Sequence, residues 1–240
     1  MTHVLVVGGT SGMGLGLARC YAASGAKVTV IGRDAGRLPE VAQREGIRAM
    51  QADVTEAAMI QTRVREAGQD GLDLLIYSAG FYATEAEVRA DPKKGERIDQ
   101  TNVDGVGHVV EAALPLMRHG GRIALIASIA GLLRPDPWTT RYATSKRRAM
   151  SRFASYREKA AAHNVGLTLL VPGYVDTQEL RRLNGGQRPD KPFLQQEAHA
   201  VAVMKKALDR QQARCVFPWQ LHALVRLYNL LPAPLRALRQ

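Results

Sequence analysis

The fold of this chain is constrained most by an unbroken apolar run, Val4–Val7, that leads directly into a glycine-rich turn. A short apolar run without polar alternation is typical of a strand that is buried on both faces of a parallel sheet. The turn carries Gly8, Gly12 and Gly14, and a helical pattern follows it. Glycine lets the backbone approach a phosphate closely, and the start of a helix offers free N–H groups and a positive dipole end to that anion. We therefore predict a dinucleotide-binding βα unit, with a plain glycine-rich turn as the alternative.

The next predicted strand, Val28–Ile31, is followed by two residues that bear on which dinucleotide is bound. Chains that bind NAD place an acidic side chain here to hold the ribose 2′-hydroxyl, whereas an arginine accommodates the 2′-phosphate of NADP. This chain has Gly32 and Arg33 at that point, so the sequence favours NADP(H) over NAD(H). Asp34 dilutes the charge of Arg33, and the alternative is that Arg33 simply begins a loop.

Strand-like and helix-like segments alternate along the rest of the chain, which indicates parallel strands joined by right-handed crossovers. We predict an α/β fold of the Rossmann type, a doubly wound parallel sheet of about seven strands with helices on both faces. Residues 1–218 are expected to form this domain, and residues 219–240 an amphipathic extension of it. A long helix is expected over residues 95–118, and a loop over the polar residues 81–94. The later strands are predicted at Arg48–Gln51, Leu72–Tyr77, Arg122–Ala127, Gly166–Val171 and Arg214–Phe217.

Composition argues against several classes of protein. The 240 residues carry a net charge of +11, but the arginines are dispersed and not interleaved with aromatics, so we expect no nucleic-acid partner. The sequence has neither an apolar run of about 18 residues that could span a membrane nor the features of a signal peptide. Cys20 and Cys215 lie in apolar contexts, as packing thiols of a reducing, cytoplasmic compartment do. Cysteine and histidine are not clustered at metal-ligand spacing, so we expect no metal.

A tyrosine and a lysine four residues apart, Tyr142 and Lys146, lie in a segment rich in helix formers. On a helix these side chains share one face, about 6 Å apart at Cβ. The ammonium favours the phenolate, so we expect the pKa of Tyr142 to fall below its usual value of about 10. Such a phenol can exchange a proton at working pH. The alternative for the isolated spacing is a solvated pair, which any basic helix produces by chance.

Seven loose motifs occur in a fixed order between about residues 3 and 180. They are Gly8–Gly12–Gly14, Asp53-Val54, Ala79-Gly80, Asn102-Val103-x-Gly105, Ser128, Tyr142-x-x-x-Lys146 and Pro172-Gly173-x-Val175-x-Thr177. In this order they resemble the short-chain dehydrogenase/reductase family in its single-domain form. The resemblance implies an NADP(H)-dependent oxidoreductase that interconverts a carbonyl and a primary or secondary alcohol.

The resemblance also implies a role for each catalytic residue. Tyr142 would be the general acid or base, and Lys146 would lower its pKa and hold the nicotinamide ribose. Ser128 would position the substrate oxygen, and Asn102 would anchor a water-linked proton relay to the lysine. The cofactor-binding residues carried over are Gly8, Thr10, Ser11, Gly12, Met13, Gly14, Arg33, Asp53, Val54, Ala79, Gly80, Tyr142, Lys146, Pro172, Gly173, Val175 and Thr177.

The substrate is constrained less than the cofactor. A small-molecule carbonyl or alcohol is implied, in a pocket built from the Arg134–Trp138 loop, the polar segment Glu179–Phe193 and the C-terminal tail. In this fold Glu179–Phe193 is expected to be a mobile flap, and the alternative is a simple connector. The leucine-rich tail favours a hydrophobic substrate, and the resemblance implies a homo-oligomer. A non-catalytic NADP-binding sensor or scaffold is the alternative function, and the complete catalytic set argues against it.

Residues 219–240 combine leucines at helical spacing with arginines, among them Leu221, Leu224, Arg226 and Arg236. One interpretation is a C-terminal helix packed on its own domain or on a partner subunit. The other is an amphipathic segment that rests on anionic lipid, so peripheral membrane contact and membrane association are candidates.

Overall fold

A computed structural model describes residues 1–237 of the chain. The strands in this range are β1 (His3–Val7), β2 (Lys27–Gly32), β3 (Arg48–Gln51), β4 (Leu72–Tyr77), β5 (Met117–Ile126), β6 (Gly166–Pro172), β7 (Val175–Asp176), β8 (Gln195–Gln196) and β9 (Arg214–Phe217). Within the described residues, seven of these strands form one parallel sheet in the order β3-β2-β1-β4-β5-β6-β9. The predicted Rossmann-type sheet is confirmed.

Helices cover both faces of this sheet. They are α1 (Gly12–Ala23), α2 (Leu38–Glu45), α3 (Ala57–Gly68), α4 (Glu85–Ala90), α5 (Pro92–Asp99), α6 (Gly105–Ala113), α7 (Arg141–Ser155), α8 (Arg157–Ala162), α9 (Gln178–Leu183), α10 (Glu197–Asp209), α11 (Trp219–Leu230) and α12 (Ala233–Ala237). Successive residues of β1 point to opposite faces, so Leu5 and Val7 pack with α3, α6 and α7, whereas Val4 and Val6 pack with α1 and α10. The unbroken apolar run is explained by burial on both sides.

The strand order reverses at β1, which lies between β2 and β4. At its end the Val7 carbonyl accepts hydrogen bonds from Ser78 N (2.7 Å) and Ala79 N (3.1 Å), so the chain after β4 stays attached to β1. The segments that follow β1 and β4 leave toward opposite faces of the sheet. Ligands of open α/β sheets bind in the crevice that such a reversal opens at the carboxyl ends of the strands.

Two predictions about the segment after β4 are wrong. Residues 81–94 are not a loop, because Thr84 begins α4 with a capping box: its hydroxyl accepts from Glu87 N (3.2 Å), and the Glu87 carboxylate accepts from Thr84 N (2.9 Å). Residues 95–118 are not one helix. A π-helical segment, Gln100–Asp104, separates α5 from α6, and α6 gives way to a short 3-10 turn, Leu114–Leu116, that contains Pro115. Proline lacks the N–H that a continuing helix needs.

The C-terminal segment packs on the domain through one side of α11. Leu221 and Val225 are buried in the same core as α6 and α7. Arg236, predicted to add surface charge, is instead buried, and its guanidinium donates to the Leu231 carbonyl at 3.1 Å. The predicted amphipathic extension over residues 219–240 also includes Leu238 and Arg239, which lie outside the described residues. Among residues 1–237, no helix is both long and apolar enough to cross a membrane.

Candidate active site

A cavity of about 650 Å³ lies at the carboxyl ends of the strands, where the strand order reverses. One end is formed by the glycine turn after β1, the middle by the residues after β3 and β4, and the other end by α7. The predicted cofactor residues that line it are Gly8, Thr10, Ser11, Gly12, Met13, Arg33, Asp53, Val54, Ala79, Gly80, Tyr142, Lys146 and Thr177. Residues separated by more than 130 positions in the chain therefore meet in one crevice.

The glycine turn is shaped by positions that admit no side chain. A Cβ on Gly8, whose φ is +80°, would lie 2.4 Å from Ala79 N, and a Cβ on Gly14 would lie 2.4 Å from the Gly8 carbonyl oxygen. The first turn of α1 is thereby drawn onto the ends of β1 and β4. Ser11 occupies the N-cap position, but its side chain makes no capping hydrogen bond. The first-turn N–H groups are left for an anion, which is the chemistry that a pyrophosphate requires.

The end of the cavity beside β2 is rich in arginine. A Cβ on Gly32 would lie 2.4 Å from Thr10 Cγ2, so Thr10 occupies the room that an acidic side chain at position 32 would need. Arg33, Arg37 and Arg182 line this end. Asp34, expected to dilute the charge of Arg33, accepts from Gly36 N (3.0 Å) and pairs with Arg37 Nε (3.3 Å).

The wall that follows β3 presents Asp53, whose carboxylate is held in place by its neighbours. It accepts from Thr55 N (3.0 Å) and Thr55 Oγ1 (2.9 Å), and it pairs with Arg97. Burial works to raise its pKa, but these hydrogen bonds outweigh burial and lower the pKa of Asp53. The side chain is therefore a fixed anionic acceptor at the wall of the cavity.

At the α7 end, Tyr142, Lys146 and Ser128 come together. The Lys146 ammonium lies 5.6 Å from the centre of the Tyr142 ring. The Ser128 side chain is near enough to the Tyr142 hydroxyl to oppose the rise in the pKa of Tyr142 that burial causes. Thr140 caps α7 by accepting from Ala143 N (3.1 Å), so the tyrosine is held in the first turn of the helix. The Tyr142 hydroxyl and the Lys146 ammonium therefore lie together at one end of the cavity, with Ser128 behind them.

The predicted fall in the pKa of Tyr142 is wrong for these surroundings. Burial raises the pKa of Tyr142 to about 12, although its interaction with Ser128 opposes the rise. Burial also lowers the pKa of Lys146 to about 8. Removing either charged form from water costs more than their mutual attraction returns. The prediction weighed only the neighbouring charge and left out desolvation.

Asn102 is fully buried, and its amide is fully used. Its Oδ1 accepts from Phe81 N (2.8 Å), while its Nδ2 donates to the Phe81 carbonyl (3.0 Å) and to Ser145 Oγ (2.9 Å). These bonds tie the segment after β4 to α7. The side chain therefore positions the wall of the cavity, and its predicted part in a proton relay stays a prediction.

Six predicted site residues do not line the cavity. They are Gly14, Asn102, Ser128, Pro172, Gly173 and Val175. A Cβ on Gly173 would lie 2.8 Å from Leu221 Cδ2, so this glycine permits the close packing of α11 on the end of β6. Val175 is buried, and Thr177 caps α9 by accepting from Leu180 N (3.2 Å). Of the residues named here, Thr177 lines the cavity, and Ser128 lies behind Tyr142.

The sequence interpretation missed several residues that line the cavity. Tyr82 packs edge-on against the Tyr142 ring, with the ring centres 5.0 Å apart. Arg37 lies only four residues after Arg33, which is a signal that could have been used. Arg182 carried no such signal, because α9 brings it to the crevice from more than 140 residues away.

Comparison with known proteins identifies the family to which this chain belongs. A sequence model described as short chain dehydrogenase matches residues 2–188. An oxidoreductase of Myxococcus xanthus, named as uncharacterized, is 33% identical over 243 residues, which cover 96% of this chain and 93% of that protein. The 3-oxoacyl-[acyl-carrier-protein] reductase MabA of Mycobacterium bovis is 30% identical over 75% of this chain and 72% of its own length.

A solved short-chain dehydrogenase from Sphingobium yanoikuyae, in complex with NADPH, has the same fold with a TM-score of 0.78. It is 22% identical, and the match covers 95% of this chain and 94% of that one. The strand order, the crevice and the family match agree with one another. The chain belongs to the short-chain dehydrogenase/reductase family and is an NAD(P)-dependent oxidoreductase.

Proposed function

We propose that this chain is an NADP(H)-dependent oxidoreductase that interconverts a carbonyl and an alcohol, with Tyr142 as the general acid or base. One observation carries the proposal. Tyr142, next to Ser128 and close to Lys146, lies in the same crevice as the glycine turn that suits a pyrophosphate. A proton donor and a dinucleotide site in one cavity are what carbonyl reduction requires.

The crevice fits a nicotinamide dinucleotide. The first-turn amides of α1 and the turn at Gly8 would hold its pyrophosphate, and Asp53 would accept from its adenine side. Lys146 would hold the nicotinamide ribose. When bound, the nicotinamide supplies or accepts the hydride, and the protein supplies orientation and a proton.

The arginine-rich end of the crevice supports NADP(H) over NAD(H). Thr10 fills the space beside Gly32, where an acid would repel a 2′-phosphate. Arg33 and the two arginines beside it give this end a positive charge, and a planar guanidinium suits bidentate contact with phosphate. The NADPH complex of the Sphingobium relative is consistent with this preference.

In the direction of reduction, Tyr142 Oη gives its proton to the substrate oxygen as the carbonyl carbon is reduced. The phenolate so formed is stabilised by the Lys146 ammonium and by the Ser128 hydroxyl. In the reverse direction, the phenolate removes the proton from the alcohol. Asn102 acts as a positioning residue, because its amide links the wall after β4 to α7.

The substrate we propose is a hydrophobic carbonyl compound or its alcohol. Phe81 and Tyr82 line the crevice beside Tyr142, so an apolar group next to the reacting carbon would pack against their aromatic rings. The mycobacterial relative is named for reduction of a 3-oxoacyl group, which is a ketone on an acyl chain.

The test is a steady-state assay of NADPH and NADH oxidation with a panel of ketones and aldehydes. Tyr142→Phe should lower kcat/KM by about 100-fold or more, since general acid catalysis contributes about that much. Tyr156→Phe is the matched control, because its hydroxyl bonds Glu111 outside the cavity and should leave activity unchanged. Unchanged turnover in Tyr142→Phe, or cofactor binding without turnover of any compound, would contradict the proposal.

A further inference from the structure

Helix α11 is apolar on both of its sides. Leu221 and Val225 face inward and are buried, at 7% and 8% exposure. On the outer side, Trp219 is 72% exposed, Leu227 61% and Leu230 78%. At 100° per residue these three side chains project within a sector of about 80° around the helix axis. A cluster of exposed large apolar side chains on one face commonly marks a contact with a protein or a membrane, so this outer face indicates a partner.

A positively charged pocket opens beside this apolar face. It has a volume of about 330 Å³ and lies between α11, β9 and the turn that follows β5. Its polar lining consists of Arg214, His222, Arg226 and Asn229, with no carboxylate among the described residues that line it. The sequence itself has no aspartate or glutamate between residues 210 and 240. The apolar face is therefore bordered by a basic pocket without neutralising acids.

The helix is held firmly on the domain at both ends. At its start, Leu221 packs against Gly173 at the end of β6. At its end, Asn229 Nδ2 donates to the Leu132 carbonyl (2.8 Å), and Asn229 Oδ1 accepts from Arg134 N (2.8 Å). The outer face is thus a preformed surface that need not fold on contact, which lowers the entropy cost of docking.

We propose that α11 docks this protein on an anionic lipid bilayer. The exposed side chains of Trp219, Leu227 and Leu230 enter the boundary between headgroups and acyl chains. The pocket of Arg214 and Arg226 receives the phosphate of an anionic headgroup. Apolar insertion and basic attraction to anionic lipid together are the two components of peripheral membrane binding.

A second copy of this chain is a poorer occupant of the same face. A two-fold contact centred on this face would bring the Arg226 side chains of the two copies close to each other, and like charges repel. The face is also small. A helix of 12 residues is about 18 Å long and about 10 Å wide, or roughly 200 Å², well short of the about 800 Å² that each partner buries in a stable interface.

Co-sedimentation of the full chain with vesicles tests the proposal. One set is phosphatidylcholine alone, and the other contains one part in three phosphatidylglycerol. We expect binding to the anionic set that weakens with salt, and a blue shift of tryptophan emission that is lost in Trp219→Phe. The double variant Leu227→Asp/Leu230→Asp should bind at least tenfold more weakly. Arg214→Gln/Arg226→Gln should lose about 30-fold, and only on anionic vesicles.

Met59→Asp is the matched control, because Met59 is an exposed apolar residue, at 45%, on α3. It should bind as the unchanged chain does, and each variant should keep its thermal midpoint and NADPH oxidation. Equal binding of the Leu227→Asp/Leu230→Asp variant and the unchanged chain would overturn the proposal. So would a dimer in light scattering that this variant converts to monomer, since a second copy would then cover the face. Neither outcome depends on whether Tyr142 is the catalytic acid.

Discussion

The cofactor preference can be tested at one side chain. Arg33 lies at the arginine-rich end of the crevice and follows Gly32 directly. We expect Arg33→Ala to weaken the use of NADPH while leaving the use of NADH nearly unchanged, because only NADPH carries the 2′-phosphate. Gly32→Asp is a less clean perturbation, since its Cβ would fall 2.4 Å from Thr10 and disturb the glycine turn as well.

The magnitude follows from the exposure of the site. A hydrogen bond to a charged group contributes about 1.5–3 kcal/mol, and the solvent-exposed position of Arg33 reduces this to about 1–2 kcal/mol. The expected loss in kcat/KM for NADPH is therefore about 5- to 30-fold. Arg37 and Arg182 should each contribute less, because Asp34 and Glu179 already pair with them.

The assay compares kcat/KM for NADPH and NADH with one carbonyl substrate at fixed ionic strength. Arg63→Ala is the matched control, because Arg63 is an equally surface-exposed arginine, on α3, paired with Glu66. It should change neither value. An equal loss with both cofactors in Arg33→Ala, or no loss with either, would refute the assignment of this end of the crevice to the 2′-phosphate.

Three further substitutions probe the framework of the site. Gly8→Ala should lower the free energy of unfolding by at least about 2 kcal/mol in urea titrations, because Gly8 has a φ of +80° and the added Cβ would lie 2.4 Å from Ala79 N. The folded protein should become more stable as pH rises from 8 to 10.5, by about 3 kcal/mol at most, and Lys146→Met should remove this rise. The reason is that burial lowers the pKa of Lys146 to about 8, while the lysine of the unfolded chain keeps its proton up to about pH 10.5. Within that window the unfolded chain therefore binds one proton more, and stability is lost as pH falls. Asn102→Leu should lower the free energy of unfolding by about 2–4 kcal/mol and lower kcat, because it leaves Ser145 and the backbone after β4 without their hydrogen-bond partner. Calorimetry and turnover measurements on the same preparation check this.

The features that could be predicted from the sequence are those set by neighbours in the chain. The run Val4–Val7 and the glycines after it specify a buried strand and a tight turn locally, and the alternation of such units fixes the sheet. The capping box of Thr84 and Glu87 is also a local feature, but the polar composition of residues 81–94 led to the prediction of a loop. The π-helical segment could not be predicted from the sequence, because it accompanies contacts of Asn102 with Phe81 and Ser145 that exist only in the folded chain.

The site shows the same division between local and distant causes. Spacing correctly indicated that Tyr142 and Lys146 share one face of a helix. It could not indicate that Tyr82 would pack on the tyrosine ring or that Arg182 would reach the cofactor end, because both depend on the tertiary fold. Homo-oligomer formation, the cytoplasmic location and the treatment of residues 219–240 as part of one domain stay predictions.

The two shifted pKa values have one cause and bear on the direction of the proposed reaction. Burial holds Tyr142 as the neutral phenol up to about pH 12, and it lets Lys146 lose its proton near pH 8. At neutral pH the phenol is therefore ready to give a proton, and the ammonium is still present to stabilise the phenolate that results. Reduction needs no preceding change of protonation, whereas oxidation must first remove a proton from Tyr142 against the effect of burial. The reduction rate should thus fall as pH rises through 8, where the ammonium is lost, while oxidation should gain from alkaline pH because the proton is then more easily released to solvent.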